Sequence, residues 1–290
     1  MGRLFCCMHV SLLFAIKIIS MKLILSILIL ATVKLNAQEH KLEKLWETDS
    51  VIAVPESVLP VKNILYVSLI DGGGWNADGR GGVGKLSPNG KILDSSWITG
   101  LNAPKGMGIV GNRLYVADML EVIVIDIQKG KIEKKIRIDS AKGLNDVTVT
   151  NKGVVFVSDS RGNKIWRLQN DIAELYLDSV VGVNGLKAIG DDLYIGWGKS
   201  FVKANSQKQI TKIAEVLQQI DGIEPIGNGD FVLTAWVGYI WYVHADGRVE
   251  TLLETQQQKK NTADIGYDQQ KRILYVPTFN AKTVVAYNLK

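Results

Sequence analysis

Cysteine and histidine are almost missing from this chain. Its 290 residues include two cysteines, Cys6 and Cys7, and three histidines, of which His40 and His244 lie beyond position 37. The body of the chain therefore has no disulfide, thiol nucleophile or thiolate metal site. A zinc site needs several His or Cys ligands, and a Ser-His-Asp triad would depend on His244, which has no local partner signature. Any catalysis must use carboxylates, amides, lysine or a bound metal.

An excess of positive charge is also missing once the N-terminal segment is set apart. The net charge is +5, but residues 1–37 hold four basic residues and no acidic one. The remainder has 30 basic and 29 acidic residues. We therefore expect no nucleic-acid partner.

The N-terminal segment is typical of an export signal. Met21 and Lys22 precede an apolar run over residues 23–30, and Leu35-Asn36-Ala37 offers a cleavage site. Residues 1–20 read as sequence upstream of a true start at Met21. The pattern predicts an exported protein, periplasmic or secreted, with no stable membrane insertion after cleavage. Alternatively, residues 5–33 act as one uncleaved anchor, although Lys17 and Lys22 interrupt the apolar stretch.

Six short hydrophobic strands recur along the rest of the chain at spacings of 49, 41, 38, 38 and 43 residues. β-branched and aromatic residues dominate them, and Gly, Asn and Asp turns bound them. Their central residues are Tyr66, Tyr115, Phe156, Tyr194, Val232 and Tyr275. A period near 40 residues with one unit per repeat is typical of β-propellers. We predict an all-β fold, a single six-bladed β-propeller domain over residues 38–290 with four-stranded blades.

The two ends of this domain each carry a strand. Residues 42–48 form a strand with no neighbour in sequence to pair with, and residues 283–289 form the last strand. We predict that the N-terminal strand joins the C-terminal blade, which would close the ring and remove its exposed edges. Residues 211–219 are expected to form an irregular connection.

A polar residue precedes each of the six strand centres by ten or eleven positions, in what reads as a short loop. These residues are Glu56, Lys105, Asn145, Asn184, Asp221 and Asp264. Equivalent positions in a ring of blades face a common axis, and five of the six carry a side-chain oxygen. Carboxylates and amide carbonyls that converge on one point suit a hard cation such as Ca²⁺. The alternative is that these Asn and Asp residues only make turns.

Four short motifs carry a family resemblance over roughly residues 45–290. They are Pro55-Glu56-Ser57-Val58, Leu144-Asn145-Asp146, Val183-Asn184-Gly185-Leu186 and Asp221-Gly222. With these motifs the chain resembles the calcium-dependent six-bladed propellers of the senescence marker protein/gluconolactonase/luciferin-regenerating enzyme family, which also resemble diisopropylfluorophosphatase. The resemblance implies that Glu56, Asn145, Asn184 and Asp221 hold one catalytic divalent metal, with Ca²⁺ preferred, in the central channel.

The same resemblance implies a metal-dependent hydrolase of a small-molecule lactone or related ester. The metal would polarise the carbonyl, and Asp221 would be both ligand and general base. Asn145 would bind the metal or the substrate, and Lys105 would stabilise developing negative charge. Lys105 departs from the family pattern: it would either pair with Glu56 or Asp264 and weaken the metal site, or bind an anionic substrate. Asp264 would add a further axial carboxylate.

The longest irregular stretch, residues 71–82, has six glycines around Trp75. We consider it either a rim loop that places Trp75, together with Trp236, over the axial pocket, or a solvated turn. Phosphotriester hydrolysis would use the same site. A different class of function also stays open: a non-enzymatic exported propeller that binds a ligand or a protein partner, with a purely structural metal.

Overall fold

Six four-stranded antiparallel sheets make up the fold. The structure, a computed structural model, describes residues 39–290. The sheets are the blades of a β-propeller, which confirms the predicted fold class. The expected export signal over residues 1–37 lies outside the described residues. Within residues 39–290, no helix has the length and apolar character that a bilayer crossing requires.

Each blade is a meander whose strands run outward from the central axis. In blade 1 they are β2 (Pro55–Val61), β3 (Ile64–Leu69), β4 (Gly81–Leu86) and β5 (Ile92–Leu101). In blade 2 they are β6 (Pro104–Val110), β7 (Arg113–Asp118), β8 (Glu121–Asp126) and β9 (Lys131–Arg137). In blade 3 they are β10 (Leu144–Val149), β11 (Val155–Asp159), β12 (Lys164–Gln169) and β13 (Ile172–Leu177).

The second half of the ring repeats this arrangement. In blade 4 the strands are β14 (Val183–Ile189), β15 (Asp192–Trp197), β16 (Ser200–Ala204) and β17 (Ile210–Glu215). In blade 5 they are β18 (Ile223–Gly227), β19 (Asp230–Ala235), β20 (Tyr239–Val243) and β21 (Val249–Glu254). Blade 6 has β22 (Gly266–Asp268), β23 (Ile273–Pro277), β24 (Val284–Leu289) and β1 (Leu42–Glu47), with one turn of 3₁₀ helix at Phe279–Ala281.

The N-terminal strand closes the ring as predicted. β1 pairs antiparallel with β24, so that Leu42 lies opposite Leu289. Glu47 at the end of β1 accepts a hydrogen bond from Lys260 Nζ at 2.5 Å and one from Thr283 Oγ1 at 2.8 Å. The outermost strand of blade 6 is thus held by side chains of the preceding loop as well as by its ladder.

Six buried apolar clusters hold neighbouring blades together, one at each blade interface. The strands that supply most of these side chains are the second and third of each blade, where residues such as Trp241, Tyr275 and Phe201 are fully buried. Both faces of these strands are covered by the adjacent blades, so their sequences are continuous apolar runs. The outermost strands alternate instead, as in β9, because one face is exposed to solvent.

Two details differ from the sequence predictions. The strands centred on Tyr66 and its equivalents are the second of each blade, and Glu56, Lys105, Asn145 and Asn184 lie inside the innermost strands rather than in loops. Residues 211–219 were expected to be irregular, but residues 211–215 belong to β17, because the edge of β16 offers pairing partners for them.

Candidate functional site

The innermost strands of blades 1 to 4 and the segment before β18 in blade 5 meet around one cavity of about 330 Å³ at the mouth of the central channel. Its lining brings together most of the residues that the sequence singled out: Glu56, Lys105, Asn145, Asn184, Asp221, Trp75 and Trp236. Gly74 and Phe279 complete it. The structure therefore places all four expected metal ligands, the lysine and both rim tryptophans at a single site.

Backbone irregularity explains how these side chains reach the axis. In blades 1 to 4 the pairing between the first two strands shifts register at the polar residue, for example between Pro55 and Val58. Such a bulge turns two consecutive side chains toward the same side of a strand. In blades 1 and 3, a serine hydroxyl of the second strand holds the backbone of the residue that follows the axial one. Ser57 N–H donates to Ser68 Oγ at 2.9 Å, and Asp146 N–H donates to Ser158 Oγ at 2.8 Å.

Two carboxylate oxygens at this site are buried without a hydrogen-bond partner, Glu56 Oε2 and Asp221 Oδ2. Asn184 Nδ2 donates to the other oxygen of Asp221, Oδ1. A buried, unpartnered carboxylate oxygen is unfavourable by about 1–3 kcal/mol or more. A divalent cation would satisfy both atoms, and Asn145 and Asn184 supply the neutral oxygens that Ca²⁺ accepts beside carboxylates. The donor set fits a hard cation.

Burial in this cavity raises the pKa values of its two carboxyl groups. Burial raises the pKa of Glu56 to about 8, and nearby Asp221 and Asp146 add to the rise while Lys105 opposes it. Burial likewise raises the pKa of Asp221 to about 7, with Asp146 adding to the rise and with Lys105 and Asn184 opposing it. Both groups favour the protonated form unless a cation compensates the charge.

Lys105 is tied to the Gly-rich loop above the cavity. Its Nζ donates to the carbonyl of Gly74 at 2.7 Å and lies 4.4 Å from the centroid of the Trp75 ring. The guanidinium of Arg161 lies 5.4 Å from the same ring. The loop is thus a rim that holds Trp75 over the pocket, the first of the two arrangements expected for it.

Asp264 lies one layer deeper than expected. β22 and β23 pair Gly266 with Tyr275, a register that makes Ala263, not Asp264, the equivalent of Glu56. Asp264 instead bridges to Ser57, whose Oγ donates to Asp264 Oδ2 at 2.5 Å. Counting back ten or eleven residues missed Ala263, which lies twelve residues before Tyr275, and a one-residue shift moves a side chain to another position around the strand. The axial side chains at the cavity, Glu56, Lys105, Asn145, Asn184 and Asp221, form an upper ring. This upper ring therefore carries two carboxylates and one lysine.

A second polar layer lies beneath the ring, where all six innermost segments enclose a cavity of about 30 Å³. Asp146, Lys187, Glu224 and Asp264 line it. Lys187 Nζ lies 2.7 Å from Glu224, and Asp146 accepts the backbone N–H groups of Val147 and Leu186 at 2.6 Å each. Burial, with Asp146 and Glu56 nearby, raises the pKa of Asp264 well above its usual range. Lys187 and Glu224 thus pair with each other, while backbone N–H groups hold Asp146 and the Ser57 hydroxyl holds Asp264.

Sequence reasoning missed this second layer. Asp146 directly follows an expected ligand, and a strict two-residue alternation would have turned it away from the axis. Lys187 and Glu224 occupy the same position in adjacent blades, three residues after Asn184 and Asp221. Opposite charges at equivalent repeat positions were therefore the available signal.

The Ser158-Asp159-Ser160 run organises a loop. Asp159 accepts the N–H groups of Lys142, Gly143 and Gly162, with the Gly143 bond at 2.8 Å. This arrangement positions Gly143 directly under Trp75, where a Cβ atom would lie 2.7 Å from Trp75 Cζ3. The run thus supports the rim of the pocket from below.

His40 and His244, far apart in sequence, converge on Glu250. His40 Nδ1 and His244 Nε2 lie 3.2 Å and 2.5 Å from Glu250 Oε1. Arg248 Nη2 lies 3.4 Å from His244 Nδ1, and a guanidinium only donates. Nδ1 is therefore the acceptor and Nε2–H faces Glu250, which is a hydrogen-bonded clamp between blade 5 and the segment before β1. The sequence predicted no zinc site, yet the ligand atoms of His40, His244 and Glu250 lie within 4.8 Å of one another.

Comparisons with known proteins support the fold alone. No family model matches this chain, and no curated protein matches it either. Among solved structures, a catalytically inactive virginiamycin B lyase from Staphylococcus aureus with quinupristin superposes with a TM-score of 0.59 at 14% identity, covering 86% of this chain and 99% of that one. A streptogramin B lyase gives a TM-score of 0.59 at 11% identity, covering 87% and 97%.

A protein-binding propeller is among the similar structures as well. A chain of a nidogen/laminin complex superposes with a TM-score of 0.60 at 13% identity, covering 73% of this chain and 86% of that one. At such identities the likeness shows a shared six-bladed architecture, and function has to be argued from the site itself.

Proposed function

We propose that this protein is a divalent-metal-dependent hydrolase of a lactone or related ester, with Ca²⁺ as the preferred ion. The observation that carries the proposal is the pair of buried, unpartnered oxygens Glu56 Oε2 and Asp221 Oδ2 at one cavity. Glu56, Asn145, Asn184 and Asp221 would hold the ion. When bound, it would supply a Lewis acid that polarises a carbonyl oxygen.

Asp221 is the group best placed to take a proton. Its Oδ1 is fixed by Asn184, while its Oδ2 faces no donor. A carboxylate that is oriented by one hydrogen bond and buried in a pocket is suited to accept a proton from an attacking water.

Lys105 is the group best placed to stabilise negative charge. Attack on an ester carbonyl places negative charge on the carbonyl oxygen, and the ammonium lines the same cavity as Asp221. Trp75, Trp236 and Phe279 provide the apolar walls that exclude water and pack against an acyl group or ring. Phosphotriesters would meet the same groups and differ only in the electrophile.

The test is a hydrolysis screen of lactones, aryl esters and phosphotriesters with the full chain, before and after chelation. We expect turnover of at least one ester class that is lost with chelator, restored by Ca²⁺, and reduced by about 10²-fold or more in Asp221→Asn. Exposed Asp178→Asn is the control and should keep full activity. Turnover that is insensitive to chelator, or unchanged in Asp221→Asn, would contradict the proposal.

A binding function is the second candidate, and the exposed aromatic rim of the cavity favours it. Trp236 is 42% exposed at the rim, and exposed aromatic residues are typical of protein interfaces. On this alternative the metal is structural, so that Asp221→Ala lowers thermal stability while no substrate class is turned over by the unmodified protein.

A further inference from the structure

The Lys105 ammonium is enclosed but has unused hydrogen-bonding capacity. The residue is 3% exposed, and among the described residues Gly74 O is its hydrogen-bond acceptor. An ammonium has three N–H donors. Since the side chain lines the cavity, the remaining donors are available to a ligand there. A buried cation is stable only with acceptors or an anion beside it.

The charge of the upper ring also favours an anionic ligand. With Glu56 and Asp221 ionised around a bound divalent ion, Lys105 leaves this ring with a net charge of +1. In the lower layer Glu224 is paired with Lys187, and Asp146 and Asp264 accept hydrogen bonds from backbone N–H groups and from Ser57 Oγ. A substrate that brings one negative charge would complete the balance.

The walls around this cation are flat and apolar. Trp236 and Phe279 pack edge to face with ring centroids 5.4 Å apart, and Trp75 lies on the side of Lys105. Arg161, exposed at the mouth, places a second positive charge 5.4 Å from the Trp75 ring. A cavity of about 330 Å³ with these walls accommodates a ligand of one or two rings.

We propose that Lys105 anchors the carboxylate of a ring-bearing acid whose ring packs between Trp75 and the Trp236–Phe279 pair. As a statement about substrate, this rests on the proposed hydrolase function and identifies its substrate as a cyclic or aryl ester that also carries a carboxylate. As a statement about binding, it holds whether or not the protein is an enzyme.

The test compares two probes of nearly equal shape, benzoate and benzamide, by calorimetry on the full chain with Ca²⁺. We expect benzoate to bind about 10-fold more tightly or better, since a hydrogen bond to a charged group is stronger than one between neutral groups. In Lys105→Met the preference should vanish, with thermal unfolding confirming the fold. Exposed Lys142→Met, a matched control, should keep the preference.

Three outcomes would contradict the proposed carboxylate subsite: equal binding of both probes, no binding of benzoate, or a preference for benzoate that survives in Lys105→Met. The last outcome would mean that the carboxylate binds the metal directly. If Lys105→Met does not fold, Lys105→Arg replaces it and should keep the preference. Failure of the hydrolase proposal is distinguishable. A protein that prefers benzoate yet hydrolyses no ester refutes that function alone, whereas one that hydrolyses neutral lactones without this preference refutes the subsite alone.

Discussion

Asn184 donates a hydrogen bond through Nδ2 to Oδ1 of Asp221 across the boundary between blades 4 and 5. This bond orients the carboxylate so that its second oxygen, Oδ2, is left without a partner inside the cavity. The same bond turns the carbonyl oxygen of the Asn184 amide away from Asp221. The two side chains therefore act as a unit, and a change in either one alters the site.

Replacing Asn184 with Ala should weaken Ca²⁺ binding by about 10- to 100-fold, because groups that orient a ligand contribute that much to metal affinity. The measurement is calcium titration by calorimetry. Asn151→Ala, at an exposed turn of blade 3, is the control and should leave the affinity unchanged. Equal affinities in the two variants would show that Asn184 neither binds the ion nor positions Asp221.

Replacing Glu56 with Gln should have opposite effects with and without metal. In chelator the variant should be more stable than the parent by about 1–2 kcal/mol, because it removes a carboxyl group whose ionised form is disfavoured by burial in the folded protein. With Ca²⁺ the parent should gain stability and the variant should not. Thermal unfolding under both conditions checks this, and a variant less stable than the parent in chelator would contradict the role of Glu56.

Asp264→Asn should leave the stoichiometry and strength of Ca²⁺ binding nearly unchanged, within about 3-fold. The reason is that Asp264 belongs to the lower layer, where Ser57 is its partner, and screening by the groups between weakens its influence on the ring. Calcium titration of Asp264→Asn and of Glu56→Gln, side by side, measures the Ca²⁺ affinity of each variant. A loss as large as that of Glu56→Gln would mean that the ion sits between the two layers.

Glu47, at the end of the N-terminal strand β1, should contribute to the free energy of unfolding at neutral pH but not in acid. Burial raises the pKa of Glu47, but hydrogen bonds from Lys260, Lys44 and Thr283 outweigh it and lower the pKa to about 2. A lowered folded-state pKa stabilises the fold above the usual value near 4.5, and this contribution disappears as the pH falls toward 2. Since the site is partly exposed, we expect about 1 kcal/mol.

Glu47→Gln tests this contribution in urea unfolding at several pH values. The variant should be less stable than the parent at pH 7, and the two should converge near pH 2. Glu43→Gln, on the same strand but in an exposed pair with Lys290, is the control and should change stability little at any pH. A constant difference across the pH range would show that the Glu47 charge is not what matters.

Gly185→Ala should damage fold and site together. A Cβ atom on Gly185 would overlap the carbonyl oxygen of Asp221 on the next blade, so the innermost strands would have to separate. We expect a loss of about 1–3 kcal/mol, as for other overpacked positions, together with weaker Ca²⁺ binding. Gly74→Ala is the stability control, since its Cβ would lie 3.8 Å from Phe279. Equal stabilities would refute this close approach.

Much of the architecture followed from repetition in the sequence. Strand centres such as Tyr66 and Tyr275 recur because each blade buries the same two strands between its neighbours, which fixes both the number of blades and their spacing. The partner of the first strand could be inferred because an unpaired edge would be left otherwise.

The site was predicted less completely, because its geometry depends on register. Five axial residues were found by counting, but Asp264 was misplaced, since the turn between β22 and β23 is longer than that between β2 and β3 and makes Ala263 the axial position. The bond from Lys105 to Gly74 and the contact between His40 and His244 join parts of the chain with no shared periodicity, so no sequence pattern indicated them.

Equilibrium Ca²⁺ binding by the full chain tests the central claim most directly. After chelation and buffer exchange, the unmodified protein should bind one Ca²⁺ per chain, and Asp221→Ala should bind none at the same concentrations while still unfolding cooperatively. A chain that binds no divalent ion, or an Asp221→Ala variant that binds it equally well, would contradict the account of Glu56 and Asp221 as the centre of the site.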